Sequence, residues 1–329
     1  MVMKKLIIQI PCYNEEQTLS TALADLPREI EGIDKIEWLV IDDGSTDDTV
    51  NVAKRNGVDH IVCHPKNLGL ARAFMTGLST SLELGADIIV NTDADNQYRA
   101  ECIPDLIHPI LEGNADIVVG ARPIDEIEDF SPAKKFFQKL GSWTVRLVSG
   151  TNIPDSPSGF RAISSNAARK LNVFNKYTYT LETIIQAGQK DIPITWVPIR
   201  TNRYMRPSRL VKSIPSYIVR SMVTVFRIFV VYKPFRFFMG VGLVAFLAGA
   251  LIGLRFLYYL LTGSGEGHIQ SLILSSILIG IGFQTIMGAF LADLLSVNRR
   301  LLEELQYKSR QLEGIIPSSK KDLQKSDEQ

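Results

Sequence analysis

Between Lys5 and about Val119, short apolar runs alternate with longer stretches in which apolar residues recur at helical spacing. Leu6–Ile10, Trp38–Ile41, His60–Cys63, Ile88–Asn91 and Ile117–Val119 are the predicted strands. Strands that alternate with helices predict an α/β domain with a mainly parallel sheet. Ligands of such sheets sit beyond the carboxyl ends of the strands. Three polar clusters fall there: Pro11-Cys-Tyr-Asn-Glu15, Asp42-Asp-Gly-Ser-Thr46 and Asp93-Ala-Asp-Asn-Gln-Tyr98.

The pattern changes after about residue 211. From Ser213 to Lys233 apolar residues dominate, but Arg220 and Arg227 recur seven apart between the breakers Pro215 and Pro234. That suits amphipathic helices lying in a membrane interface with arginines snorkelling outward. Phe237–Leu254 and Ile269–Ala292 then contain no Asp, Glu, Lys or Arg. As helices they would run about 27 Å and about 36 Å, against a hydrocarbon core of about 30 Å. Being apolar on every face, they predict a transmembrane hairpin, at about 236–261 and 269–295. Lys233 and Arg236 precede the hairpin, Arg299, Arg300, Lys308 and Arg310 follow it, and the turn Thr262–His268 has no cation. By the positive-inside rule both chain ends, and the α/β domain with them, are expected to be cytoplasmic. The domains read as 1–211, an interfacial segment 212–234, the hairpin 235–297, and a charged tail 298–329 whose end from Pro317 is expected to be disordered.

With 36 Lys and Arg against 35 Asp and Glu in 329 residues, bulk charge favours no polyanionic partner, and no nucleic-acid binding is expected. The basic amino terminus stops at Pro11 without a small-residue cleavage site and reads as a strand rather than a signal peptide. Cys12, Cys63 and Cys102 are too dispersed for a disulfide framework or a zinc site.

Asp93 and Asp95 lie on one side of an extended segment, and Gln97 continues that period with a third oxygen. Such hard donors suit Mg²⁺ or Mn²⁺ completed by substrate phosphates. An Asx-rich turn would account for the same triplet. In Asp42–Thr49, helix capping explains Asp47 and Asp48, while Asp42 and Asp43 sit where a carboxylate can accept from a base N–H or a ribose hydroxyl. There is no Gly-x-Gly-x-x-Gly and no Gly-Lys-Ser/Thr loop, which leaves a nucleotide held through a metal.

These motifs, with Asn67-x-Gly69-x-x-Arg72, Gly120-Ala-Arg122, Asp155-x-x-Ser-Gly-Phe-Arg161 and Arg203-x-x-x-x-Ser-Arg-Leu210, make the chain resemble the family 2 glycosyltransferases of GT-A fold. Within that family it is similar to the branch of dolichyl-phosphate mannose synthases and bacterial polyprenyl-phosphate glucosyltransferases. The resemblance implies a GT-A domain, Rossmann-like, ahead of the interfacial helices and the hairpin. It implies that Pro11, Tyr13, Glu15, Ile41, Asp43, Asp93 and Arg122 line the nucleotide-sugar site, and that Asp93, Asp95 and Gln97 hold Mg²⁺ or Mn²⁺. Arg203 and Arg209 would meet phosphate on the donor or the lipid, and Asp155 is the expected acidic residue, as base or organiser.

Processive members carry Gln-x-x-Arg-Trp, absent here, and Glu182-Thr183 stands where a Glu-Asp pair is usual. Both departures fit transfer to a phosphate acceptor, which is already largely dianionic at neutral pH. The expected reaction is inverting transfer of one hexose, from UDP-glucose, to polyprenyl (undecaprenyl) phosphate. GDP-mannose or a UDP-amino sugar are the alternative donors, and a membrane-anchored binding subunit without turnover is the alternative class. Ala245, Gly249 and Gly253, with Ser276 and Gly280, also suggest a homo-oligomer packed through the bilayer.

Overall fold

A computed structural model describes residues 3–123, 132–173, 179–202, 232–262 and 269–315, with four further positions between 223 and 230. Arg203, Arg209 and most of the expected interfacial segment lie outside the described residues, as do 263–268 and the end from 316. The α/β part and the helical part, residues 222–306, form separate compact units.

The described residues of the α/β part hold seven strands: β1 Lys5–Cys12, β2 Lys35–Asp42, β3 His60–Cys63, β4 Ile88–Asn91, β5 Ile117–Ala121, β6 Arg161–Ser164 and β7 Ile194–Pro198. Their order is β3-β2-β1-β4-β6-β5-β7. All pairings are parallel except those of β6, which runs antiparallel between β4 and β5. Around the sheet lie α1 Leu19–Asp25, α2 Thr49–Arg55, α3 Leu70–Glu83, α4 Ile103–Leu111, α5 Pro132–Ser149, α6 Ser165–Lys170 and α7 Thr180–Gln189.

β1 is buried from Leu6 to Cys12, as expected for a central parallel strand covered on both faces. Its even positions Leu6, Ile8 and Ile10 join Trp38 and Val40 in a core shared with Leu23 of α1, Val52 of α2 and Leu106 of α4. Its odd position Ile7 joins Leu39, Ile41 and Ile89 in a second core, with Phe74 and Leu78 of α3, Ala167 of α6 and Ala187 of α7. The two strands not expected from hydropathy have physical reasons for their silence. β6 has four residues and begins with a charged side chain, while β7 is a partly exposed edge ending in Pro198.

The helical part contains α8 Pro234–Leu261 and α9 Ile269–Ile315. Among the described residues two stretches are long and apolar enough to cross a bilayer, Pro234–Leu261 and Ile269–Arg299. Leu251 and Leu261 are 68% and 79% exposed, as lipid-facing side chains would be. α9 continues through the charged stretch to Ile315, past the expected domain boundary at residue 298.

Small residues seal the hairpin within one chain. A Cβ on Gly249 would sit 2.9 Å from the Ile279 nitrogen, one on Gly282 2.6 Å from the Phe246 nitrogen, and one on Gly242 3.0 Å from the Gly282 carbonyl oxygen. The Ser275 hydroxyl donates to the Gly249 carbonyl at 2.7 Å. Gly249 and Gly253 are therefore used inside the hairpin, so they do not supply the surface expected for self-association. Gly280, by contrast, has open space around it. Gly249→Leu is expected to destabilise the hairpin, lowering the detergent-solubilised melting temperature, whereas Gly280→Leu leaves it near wild type. Equal shifts for the two variants would contradict this packing.

Candidate active site

The site forms at the carboxyl ends of β1, β2, β4 and β5, where the parallel strands deliver their polar continuations to one edge. After β1 the chain turns at Asn14, with φ of 55°, a left-handed conformation that asparagine tolerates better than most residues. The Asn14 amide donates to Ser45 Oγ at 2.9 Å, and its side-chain oxygen accepts from the Thr46 amide at 2.8 Å. The Glu15 amide donates to Thr49 Oγ1 at 2.8 Å, and its carboxylate accepts from Thr18 Oγ1 at 2.8 Å. Pro11 lies inside β1 opposite Ile41, and Tyr13 is 40% exposed beyond the strand end.

The two aspartates after β2 have different environments. Asp43 is buried and fully engaged: it accepts from His64 Nδ1 at 2.8 Å, the Leu68 amide at 2.9 Å and the Gly69 amide at 2.8 Å. It thereby fastens the β3–α3 loop onto the end of β2. Gly44, at φ of 73°, allows that loop to close, since a Cβ there would lie 2.8 Å from the Asn67 nitrogen. Asp42 accepts only long bonds, 3.3 and 3.2 Å, from the Ser45 amide. Asp43, expected at the nucleotide, thus also organises this loop, and Asp42 is the less committed carboxylate. Ile41, expected to line the nucleotide-sugar site, has its side chain wholly buried in the α3-side core.

After β4, Asp95 Oδ1 accepts from the Gln97 amide at 3.2 Å. Asn96 takes φ of 54°, with its side chain donating to Asp25 at 2.8 Å. This is the Asx-type turn that is the alternative to a metal reading of the same residues. Asp93 is pushed up to about 7 by burial first and by the charge of Asp95 next, against the opposing pull of Arg122. Gly159 leaves room beside it, since a Cβ would come within 3.2 Å of both Asp93 oxygens. Among the described residues no three His, Cys, Asp or Glu side chains form a metal cluster. The donor set is two hard carboxylates under mutual repulsion, which fits a divalent cation whose remaining ligands come from substrate. Gln97 is half-buried, and its carbonyl accepts from the Asn202 amide at 2.9 Å.

Arg122, after β5, and Asp155 form a buried ion pair. Arg122 Nε donates to Asp155 Oδ2 at 2.7 Å, Nη2 donates to Oδ1 at 3.0 Å, and the Arg122 amide adds a bond of 3.1 Å to Oδ2. The two residues stand 33 apart in sequence.

Two residues absent from the sequence-based set support this loop. Arg161, fully buried on β6, donates to the carbonyls of Ser158 and Ser156 at 2.9 Å each and also to the Thr183 hydroxyl. Burial pulls its guanidinium down to about 10. Tyr179 stacks on Phe74 and accepts from Asn91 Nδ2 at 2.9 Å. Cys12 lies in the same negative field: burial, then Glu15, Asp42, Asp47 and Asp93, push its thiol well above the ordinary range, so it stays protonated and inert.

A model of the family "Glycosyl transferase family 2" matches residues 7–172, just over half of the chain. A UDP-N-acetylglucosamine–dolichyl-phosphate N-acetylglucosaminyltransferase from Methanococcus voltae is 32% identical over 220 residues, covering 60% of this chain and 86% of that protein. An undecaprenyl-phosphate mannosyltransferase from Micrococcus luteus is 29% identical over 170 residues, 50% of this chain and 68% of that protein. Among solved structures, glucosyl-3-phosphoglycerate synthase from Mycobacterium tuberculosis superposes with a TM-score of 0.54 at 20% identity, over 68% of this chain and 80% of that one. The same enzyme with Mn²⁺, uridine diphosphate and phosphoglyceric acid gives a TM-score of 0.52 at 18% identity, over 68% of this chain and 78% of that one. At such identity the likeness speaks for the fold, a mostly parallel sheet of GT-A type.

The raised Asp93 has a consequence for stability without metal. Between its ordinary value of 3.8 and about 7, the folded chain keeps a proton that the unfolded chain has released. Metal-free stability therefore falls as pH rises through that window. Asp93→Asn should raise the melting temperature at about pH 8 in chelator and flatten its decline above about pH 5. An unchanged pH profile in the variant would refute the assignment.

Proposed function

The chain belongs to glycosyl transferase family 2, and from that premise we propose that it transfers one hexose from a nucleotide sugar to a polyprenyl phosphate, with inversion. The observation that carries this reading is the Asp93–Asp95 pair beside the buried Arg122 at one sheet edge. The proposed donor site is formed by Pro11, Tyr13, Glu15, Asp42, Asp93 and Arg122, with Ile41 and Asp43 as supports behind it. Asp93 and Asp95, with Gln97, would hold Mg²⁺ or Mn²⁺. When bound, such an ion supplies charge neutralisation of the nucleoside diphosphate leaving group.

The acceptor oxygen forms a bond to the anomeric carbon as the carbon–diphosphate bond breaks. With a second pKa near 6, the acceptor phosphate arrives mostly dianionic and needs no proton removed. Asp155, with both oxygens already accepting from Arg122, serves to aim that guanidinium at phosphate rather than as a base. The remaining work of the chain is to align two anions. The proposed orientation keeps this site, with Arg203 and Arg209, on the cytoplasmic side, following Lys233, Arg236, Arg299 and Arg300 around the hairpin.

The sugar is a separate proposal. UDP-glucose is the donor implied by the sequence resemblance, and the relatives named for N-acetylglucosamine and mannose make UDP-N-acetylglucosamine and GDP-mannose its competitors. Detergent-purified chain should transfer label from one of these donors to undecaprenyl phosphate when Mg²⁺ or Mn²⁺ is present. No transfer from any of them would refute the activity, and a preference for either competitor would refute glucose.

Asp95→Asn should abolish that transfer, by about 100-fold or more, with no loss of melting temperature. Full activity would remove the metal assignment. Asp155→Asn and Arg122→Gln should each lower kcat/KM by about tenfold or more, with the double variant no worse than the poorer single, because both remove one unit. Multiplicative losses would show that Asp155 acts independently, as a base.

A further inference from the structure

Across three neighbouring strands stand three polar residues with no exposure at all. Gln9 of β1 is paired with Asn91 of β4, and Asn91 with Arg161 of β6. They lie on the face of Ile7, Ile89 and Ile163, the α3-side core. Burying such groups is unfavourable unless each finds a partner. Arg161 and Asn91 send their donors to one place. Arg161 reaches the carbonyls of Ser156 and Ser158, and Asn91 Nδ2 donates to the Gly159 carbonyl at 2.9 Å. All three carbonyls belong to the loop that carries Asp155.

Asn91 is itself oriented by two neighbours. Its Nδ2 also donates to the Tyr179 hydroxyl at 2.9 Å, and that hydroxyl donates in turn to the Gly159 carbonyl at 3.3 Å. With both N–H groups used, the Asn91 oxygen must accept, and Gln9 Nε2 donates to it at 2.9 Å. Gln9 Oε1 is left buried without a partner, beside Gly77 of α3, where a Cβ would collide with it. A reversed Gln9 amide would instead set its oxygen against that of Asn91. Leaving an acceptor unpaired is unfavourable, and what it secures is the direction of Asn91.

The other side of Gly159 is held by Tyr98. The Gly159 amide donates to the Tyr98 hydroxyl at 3.0 Å, and the Tyr98 ring stacks on Phe160 with centroids 5.1 Å apart. The Phe160 carbonyl accepts from the amide of Gly120, two residues before Arg122, at 2.9 Å. Gly159 meanwhile lies against Asp93, since a Cβ on it would come within 3.2 Å of both carboxylate oxygens. Tyr98 feels both halves of the site: burial pushes its phenol up, Arg122 opposes, and Asp93 and Asp155 add to burial.

We propose that Tyr98 and Asn91 are positioning residues that grip Gly159 by its amide and its carbonyl, and so fix the spacing between the Asp93 carboxylate and the Arg122–Asp155 pair. The proposal rests on the reading of Asp93 and Asp95 as holders of a divalent cation for the donor's diphosphate, and the test keeps the two apart.

Tyr98→Phe keeps the ring on Phe160 and deletes only the acceptor of the Gly159 amide. Asn91→Leu, of similar shape, deletes the donor to the Gly159 carbonyl. Affinity of the detergent-purified full-length chain for UDP, and separately for GDP, is measured by calorimetry with Mn²⁺ and with chelator. The gain in affinity that Mn²⁺ gives should fall about tenfold in each variant, with affinity in chelator unchanged. Ser164→Ala removes an N-cap bond at the end of β6 away from the site and controls for lost stability. It should lower the melting temperature and leave the Mn²⁺ gain intact. Equal losses with and without Mn²⁺, or a reduced gain in Ser164→Ala, would make both residues mere structural support and overturn the proposal. An intact gain in either variant overturns it too, and leaves the metal reading standing. If the wild-type chain gains nothing from Mn²⁺ with either nucleotide, the metal reading falls and the proposal with it. Should neither variant fold, hydrogen exchange of the wild-type chain decides. A Gly159 amide that exchanges as fast as an open loop overturns the grip, and a protected one upholds it.

Discussion

Carboxylates crowded where water is scarce set the terms for the whole sheet edge. Glu15, Asp42, Asp47 and Asp93 all bear on Cys12, and Asp95 bears on Asp93. Like charges in a low-dielectric place repel strongly unless each finds a donor. The loops answer residue by residue: Asp47 accepts from the amides of Thr49 and Glu16, and Asp43 from those of Leu68 and Gly69. Asp155 is neutralised by Arg122. Asp93 is left with less relief than its neighbours, and its raised proton affinity records this. A substrate-borne cation would relieve a repulsion that, among the described residues, the protein itself leaves in place at Asp93.

That division separates two kinds of residue within the same motifs. Asp43, Asn14 and Arg161 hold loop backbone, so their substitution would act on geometry. Asp93 and Asp95 are the pair proposed to face the charge that the reaction must manage. The two left-handed asparagines, Asn14 and Asn96, sit on the two loops where chain direction must change abruptly beside the site. Asparagine accepts that conformation at lower cost than most residues and adds a side-chain hydrogen bond that locks it.

Much of this architecture is legible in the order of the residues alone. Four of the five expected strands, β1, β2, β4 and β5, announce themselves because buried strands are near-continuous apolar runs. Ile41 belongs to the core by alternation, since it shares the parity of Leu39. Asp42 and Asp43 cannot be told apart in the same way, because what distinguishes them is a loop more than 20 residues later. Neither can the Arg122–Asp155 pair be read, since its members are separated by all of α5. In the hairpin the four-residue spacing of Gly249 and Gly253 is visible, but whether it faces an outside partner or the neighbouring helix depends on how α8 and α9 meet.

The antiparallel β6 has a consequence for how the site comes into being. β3, β2, β1 and β4 are mutually paired and complete once Asn91 has been made, whereas β5 pairs only with β6 and β7. During synthesis β5 therefore waits, unpaired, until Arg161–Ser164 inserts between it and β4. The carboxylate half of the edge can mature first, and the Arg122–Asp155 half joins it through a single four-residue strand. Such non-local closure is slow compared with local pairing. The strand order thus favours closure of the proposed metal-binding side before the proposed phosphate-binding side, with β6 as the strand that joins them.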